Sequence, residues 1–274
     1  MKNFLLRSAF GIIYVLLVIG SIAVGRPFFG GLMLLFAAFC IIEYTKLAPV
    51  KQGIGTRISI ATATLLIYIS LFLYFSDINR EIILIPAIAG LLIALFSAAG
   101  SARRTGIKAY LYIIAGVFYI AVPFGLMTGY YHPALTGALK NGQLLYAFFA
   151  IIWVNDTFAY LAGRCLGRTK MFPRISPKKT IEGFAGGLVF AMITALILGK
   201  LLPQLTTGQW IAFSLITVFF GTFGDFLESW LKRTAGVKDS GTLITGHGGF
   251  LDRLDSVLMA APFSVLYLLL IQQL

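Results

Sequence analysis

Acidic side chains are scarce in this sequence: ten Asp and Glu stand against 22 Lys and Arg in 274 residues, and charged residues of both signs make up only 12% of the chain. A soluble domain carries about 25%, so composition excludes an ordinary soluble fold. Cysteine and histidine number two each. Cys40 and Cys165 argue against a disulfide framework, and His132 and His247, far apart and without thiolate neighbours, argue against zinc. Internal repeats, low-complexity linkers and polar stretches long enough for a separate soluble domain are missing. No GxxxxGK[ST] phosphate loop occurs either; "GRCLGRTK" lacks the Gly-Lys pair and reads as a turn.

What fills the chain instead is apolar sequence, at 59% hydrophobic residues. Runs near the ~20 residues that cross a bilayer as a helix recur throughout. The reading is an all-α, polytopic integral membrane protein of about nine spans, at roughly 8–25, 27–43, 58–76, 82–99, 107–129, 144–162, 183–202, 210–231 and 254–273. The basic start and apolar centre of "MKNFLLRSAFGIIYVLLVIGSIAVG" resemble a signal peptide, but further spans follow at once, so it is kept as the first helix. With the N-terminus in the cytoplasm and the C-terminus outside, 18 of the 22 Lys and Arg fall in cytoplasmic segments, and Arg26, Arg80, Lys140 and Lys200 are left one to each outer loop. That asymmetry follows the positive-inside rule.

The net charge of +12 lies in membrane-facing loops rather than on a soluble basic face, so anionic lipid headgroups are expected as partners and nucleic acid is not. Residues 1–274 read as a single membrane domain of two unequal halves. Seven of the ten acids lie between Asp156 and Asp255, the exceptions being Glu43, Asp77 and Glu81. Residues 1–143 are therefore read as scaffold, and residues 144–274 as the half that carries chemistry.

An ionisable group inside a membrane costs about 2.5 to 3.5 kcal/mol at a helix centre, so it calls for a partner or a job. Asp156 falls in the sixth expected span, Asp225 and Glu228 near the end of the eighth, and Asp252 and Asp255 at the start of the ninth. In the topology above all five gather toward the cytoplasmic face. Helical spacing places Asp225, Glu228 and Lys232 on one stripe and Asp252 and Asp255 on another. Simple pairing with Lys232 and Arg253 would account for any one of them; five together favour a cation site of oxygen ligands, which suits Mg²⁺.

The loop between the sixth and seventh spans, "GRCLGRTKMFPRISPKKTIEG", holds six bases before its first acid, Glu182. Arg164, Arg168, Lys170 and Arg174 fit the positive-inside rule. Ser176 followed by Pro177 reads as a helix N-cap and first residue, which puts Lys178 and Lys179 in the first turn of the seventh helix. The helix dipole disfavours cations there, and a bound phosphate would reverse the objection. Phosphate-binding bases beside Mg²⁺-holding carboxylates are the parts of phosphoryl or nucleotidyl transfer. Gly246, Gly248 and Gly249 are either flexible loop residues or points of close backbone approach to a ligand.

"SWLKRTAGVKDSGTLITGHGGFLDRLD", from Ser229 to Asp255, closely resembles the signature of phosphatidate cytidylyltransferases, the CDP-diacylglycerol synthases. "NDTFAYLAGRCLGR" and "RISPKKTIEG" are similar to family segments too, so the match covers about residues 150–256. Thr245, Phe158 and Ile181 depart from the family, which often has proline, a small residue and tryptophan there; none of these changes removes a charge. The resemblance implies that CTP and phosphatidic acid react with Mg²⁺ to give CDP-diacylglycerol and pyrophosphate, in a bacterial-type inner (plasma) membrane and on its cytoplasmic side. A second, monovalent cation and a homo-oligomer stay open. Asp225, Asp252 and Asp255 become the expected metal ligands, with Glu228, Asp239 and Asp156 beside them. Lys178, Lys179, Lys232, Arg233, Lys238 and Arg253 are expected to hold triphosphate or lipid phosphate. Asn155, Ser176, Gly248 and Gly249 are expected to line the substrate site, and His247 to donate to a phosphate or cap its loop.

Three rivals remain at this level. A transporter or scramblase would place polar residues at matched depth in both leaflets, commonly with an inverted repeat. A CTP-using polyprenol kinase would need similar groups but would release CDP. A purely structural membrane protein leaves the acid cluster unexplained.

Overall fold

The structure is a computed structural model that describes residues 2–48, 52–76, 78–136, 142–202, 205–241 and 248–272. The long helices are α1 (Lys2–Val24), α2 (Arg26–Lys46), α3 (Ile54–Tyr74), α4 (Arg80–Thr105) and α5 (Ile107–Met127). A 3₁₀ turn (Thr128–Tyr131) and the one-turn α6 (Pro133–Thr136) lead to α7 (Gln143–Cys165). A ribbon of β1 (Lys170–Phe172) and β2 (Ser176–Thr180) precedes α8 (Ile181–Leu201), α9 (Thr207–Thr234) and α10 (Leu251–Gln272).

Among the described residues eight helices, α2 to α5 and α7 to α10, are long and apolar enough to cross a membrane. The first expected span corresponds to α1, whose apolar part from Phe10 to Val24 is shorter. Helices satisfy their own backbone polar groups, which is why apolar runs in lipid adopt them. Outward-facing Leu, Ile and Phe such as Leu84, Ile85 and Phe96 are strongly exposed, as a lipid-facing surface requires.

Lipid is as apolar as leucine, so helices associate in it through close packing and hydrogen bonds. Tyr44 of α2 stacks on Tyr112 of α5, and each hydroxyl donates to the other's backbone carbonyl, at 3.1 and 2.9 Å. Gly116 makes room for the Tyr44 ring. Helices α3, α4 and α5 pack together, α7 to α10 pack in sequence, and α10 leans on α5 and α2. The buried apolar residues form one continuous core across both halves of the chain.

One local expectation is corrected. Ser176 and Pro177 do not begin a helix: residues 176–180 are β2, paired antiparallel with β1 in the register Phe172 to Ser176 and Lys170 to Thr180. The N-cap of α8 is Thr180, whose hydroxyl accepts from the Gly183 amide at 3.1 Å. Glu182 explains the difference. Its carboxylate accepts the Arg168 amide at 3.1 Å and the Thr169 amide at 3.0 Å, and Ile181 N–H donates to the Thr169 carbonyl at 3.0 Å. These bonds tie the chain before β1 to the helix start, so the five residues before Ile181 run alongside β1.

Candidate active site

Helices α7 and α9 end where α8 and α10 begin, so connectivity alone brings Asp156, β2, Asp225 and Asp255 to one end of the bundle. Glycines set the distances. A Cβ on Gly187 of α8 would lie 2.8 Å from the Asn155 carbonyl oxygen of α7, and one on Gly224 of α9 would collide with the Asp255 carbonyl of α10. Only glycine permits both crossings, the small-residue packing typical of helices in lipid.

Between α7, β2, α8 and α9 lies a cavity of about 360 Å³, lined by Asn155, Asp156, Lys178, Lys179 and Asp225 together with Tyr160 and Arg164. Lys179 is paired with Asp225 and sits 4.8 Å above the Phe226 ring. Phe172 of β1 packs edge-on against the same ring at 4.9 Å, so the ribbon that carries Lys179 is docked on α9. Asp225 also accepts from Ser256 Oγ at 2.8 Å, and Asp255, whose carboxylate accepts the Ser256 amide at 2.8 Å, lies against it. Asp156 faces the same two groups, Asp225 and Lys179, and accepts from Asn155 Nδ2 at 3.3 Å.

The remaining acids form a second group. Lys232 bridges Glu228 at 2.5 Å and Asp252 at 2.6 Å. Asp252 also accepts the Gly249 amide at 2.7 Å and the Ser240 amide at 3.1 Å. Within the stripe expected for Asp225, Glu228 and Lys232, Lys232 thus binds Glu228 and Asp252, while Asp225 meets Lys179 and Ser256. Gly248 has φ +84°, and a Cβ there would sit 2.7 Å from Asp252; one on Gly249 would strike Ser240 and Glu43. The close approach these glycines allow is to protein side chains.

Lys178 is exposed and outside any helix, so the first-turn argument for it and Lys179 falls; both line the cavity. Ser176, on the same strand, is not among the cavity's lining residues. Arg233 is exposed and donates to the Val237 carbonyl at 3.2 Å, closing the last turn of α9. Lys238, Asp239 and Arg253 are exposed beside the second group. His247, with Gly246 and Thr245, lies outside the described residues. Three contributors are new: Ser256, whose hydroxyl carries no charge to draw notice; Glu182, which organises the ribbon; and Glu43, a lone acid in the expected scaffold.

Among the described residues no three His, Cys, Asp or Glu side chains form a ready metal cage. Mg²⁺ does not need one, since it is commonly held by one or two carboxylates with waters and substrate phosphates. Asp225, Asp255 and Asp156 supply hard oxygen donors around a single lysine. The buried Asn155 Oδ1 has no hydrogen-bond partner, so the cavity wall keeps an unused acceptor. The residues fit such an ion.

Fold and site together define a polytopic helical membrane protein with a carboxylate- and lysine-lined cavity at one end of the bundle. The chain belongs to the cytidylyltransferase family, whose profile matches residues 5–271. It is 50% identical over 137 residues to a phosphatidate cytidylyltransferase of Bacillus subtilis (strain 168), covering 48% of this chain and 49% of that protein. It is 39% identical over 163 residues to one of Staphylococcus haemolyticus (strain JCSC1435), 59% of each chain. It is also 45% identical over 128 residues to the uncharacterised protein YnbB of Escherichia coli (strain K12), 46% of this chain and 43% of that one. The chain spans about half the length of the curated relatives it matches.

Proposed function

We propose that this chain transfers the cytidylyl group of CTP to phosphatidic acid. A phosphatidate oxygen bonds to the α-phosphorus of CTP, the bridging α–β P–O bond breaks, and pyrophosphate leaves. The observation that carries the proposal is Lys179 of β2 held against Asp225 of α9 at the mouth of a cavity that also contains Asp156 and Lys178. Membership of the cytidylyltransferase family and the names of the relatives support it.

The attacking phosphate is already ionised at neutral pH, so no side chain has to take a proton, and catalysis rests on positioning and on neutralising charge. Lys179 and Lys178 are the bases placed to meet phosphate oxygens. Asp225, Asp255 and Asp156 would hold Mg²⁺, which when bound supplies charge neutralisation on phosphate oxygens. Ser256 orients Asp225, and Lys232 holds Glu228 and Asp252 together behind the site. In this proposal the cavity faces the cytoplasm from a bacterial inner membrane, with the N-terminus inside and the C-terminus outside. CTP then arrives from solution, and the lipid keeps its tails in the bilayer.

The test is transfer of label from cytidine-labelled CTP into lipid by purified protein with phosphatidic acid and Mg²⁺, with pyrophosphate measured alongside. Labelled lipid with stoichiometric pyrophosphate is the expected result. Release of CDP would instead indicate a lipid kinase, and unlabelled lipid from well-folded protein would remove the proposal.

A further inference from the structure

Glu43 lies in α2, in the half of the chain expected to be scaffold, yet it is fully buried and its carboxylate reaches the other half. One oxygen, Oε2, accepts the Leu251 amide at 2.9 Å and Ser240 Oγ at 3.1 Å. Leu251 is the first residue of α10, whose amides have no partners within the helix and whose positive end favours an anion. Gly241 and Gly249 press so closely on the carboxylate that a Cβ on either would collide with it. Next to these contacts Phe250 packs on Phe36 and Phe39 of α2, with ring centroids 5.3 and 4.9 Å apart.

A buried carboxylate is costly unless its bonds are made; Glu43 makes two, both through Oε2, to the first residue of α10 and to Ser240, while Oε1 is buried without a hydrogen-bond partner among the described residues. Ser240 is gripped from both sides, its hydroxyl donating to Glu43 and its amide to Asp252. Asp252 in turn is paired with Lys232. The line Glu43–Ser240–Asp252–Lys232 therefore fixes where α10 begins relative to α9. Asp255 and Ser256, which meet Asp225, lie one turn on from that start.

We propose that Glu43 is a positioning residue for the reaction: it anchors the first turn of α10 so that Asp255 and Ser256 are presented to Asp225. The inference rests on the proposed cytidylyl transfer. Glu43 needs only an acceptor oxygen for this, so Gln should replace it where Ala cannot.

The experiment compares wild type, Glu43→Ala and Glu43→Gln in detergent by cytidylyl transfer and by amide hydrogen exchange over residues 249–256. In Glu43→Ala, kcat should fall roughly 10- to 100-fold, the usual loss when a residue supporting a site's ligands is removed, and exchange in that segment should quicken. Glu43→Gln should restore both. Wild-type kcat or unchanged exchange in Glu43→Ala would overturn the inference, as would a Gln variant as poor as Ala, which would mean the charge itself acts. Should the Ala variant not fold, Glu43→Asp, one methylene short of Leu251, replaces it with the same expectation. A wild-type protein that transfers no cytidylyl group would defeat the reaction proposed above, and the exchange arm alone would then decide whether Glu43 anchors α10.

Discussion

Lys179 and Asp225, 46 residues apart, form an ion pair across the gap between the β ribbon and α9. Their side chains are 32% and 22% exposed. A partly exposed pair of this kind contributes little to stability, so its interest is chemical: it parks a phosphate-seeking base and a hard oxygen donor side by side at the cavity. Asp225→Asn should keep the protein inserted and folded while turnover drops about 100- to 1,000-fold, the scale of losing a charge-stabilising group. Lys179→Met should show a comparable loss of kcat/KM for CTP. Near-normal turnover in the Asn variant would take Asp225 out of the reaction.

Ser256 supplies a hydrogen bond to Asp225 without taking part in charge balance. A bond to a charged group contributes about 1.5 to 3 kcal/mol to stability, so Ser256→Ala should lower the unfolding temperature and, by leaving Asp225 without its orienting donor, lower activity roughly tenfold. Ser256→Thr keeps the hydroxyl and should recover part of the loss. Steady-state kinetics on the three proteins decides it: equal rates would leave Ser256 with packing alone.

The helices and most of the acids were legible because lipid makes a charge conspicuous. Asp225 and Glu228 stood out as the charges of the expected span 210–231, Asp252 and Asp255 stood out at the start of the next, and the structure sets all four at the α9–α10 junction. The division into two groups was not legible, since stripe geometry on one helix says nothing of which partners reach it from elsewhere in the fold. Ser176-Pro177 misled for a local reason: the pair is a good helix start, but Glu182, six residues on, binds the Arg168 and Thr169 amides and draws the segment into a ribbon. Glu43 had a visible signal, an acid within "CIIEYTK". Its partners Ser240 and Leu251 are about two hundred residues away and could not be read from sequence.

The α7–α8 crossing makes a stability prediction. Gly187 lies where a side chain would meet the Asn155 backbone and amide. Gly187→Val should therefore push the helices apart, at a cost of about 1 to 3 kcal/mol for overpacking, and displace Asn155 and Asp156 in the cavity wall. The expected outcome is a lower unfolding temperature in detergent together with reduced transfer. Gly208, where a Cβ would meet nothing, is the control, and Gly208→Ala should leave both values unchanged.

Cys165 offers a way to test which side of the membrane the site faces. It is exposed at the last residue of α7, one position beyond Arg164 of the cavity wall, while Cys40 is buried in α2. A membrane-impermeant maleimide should thus report on Cys165 and leave Cys40 untouched until the protein is unfolded. In the proposed topology α7 runs toward the cytoplasm, so inverted inner-membrane vesicles should be labelled and right-side-out spheroplasts should not. The Cys165→Ser variant should lose the signal in both. Labelling confined to spheroplasts would invert the orientation and place the cavity on the side that soluble CTP does not reach, which would count against cytidylyl transfer more heavily than any single mutation.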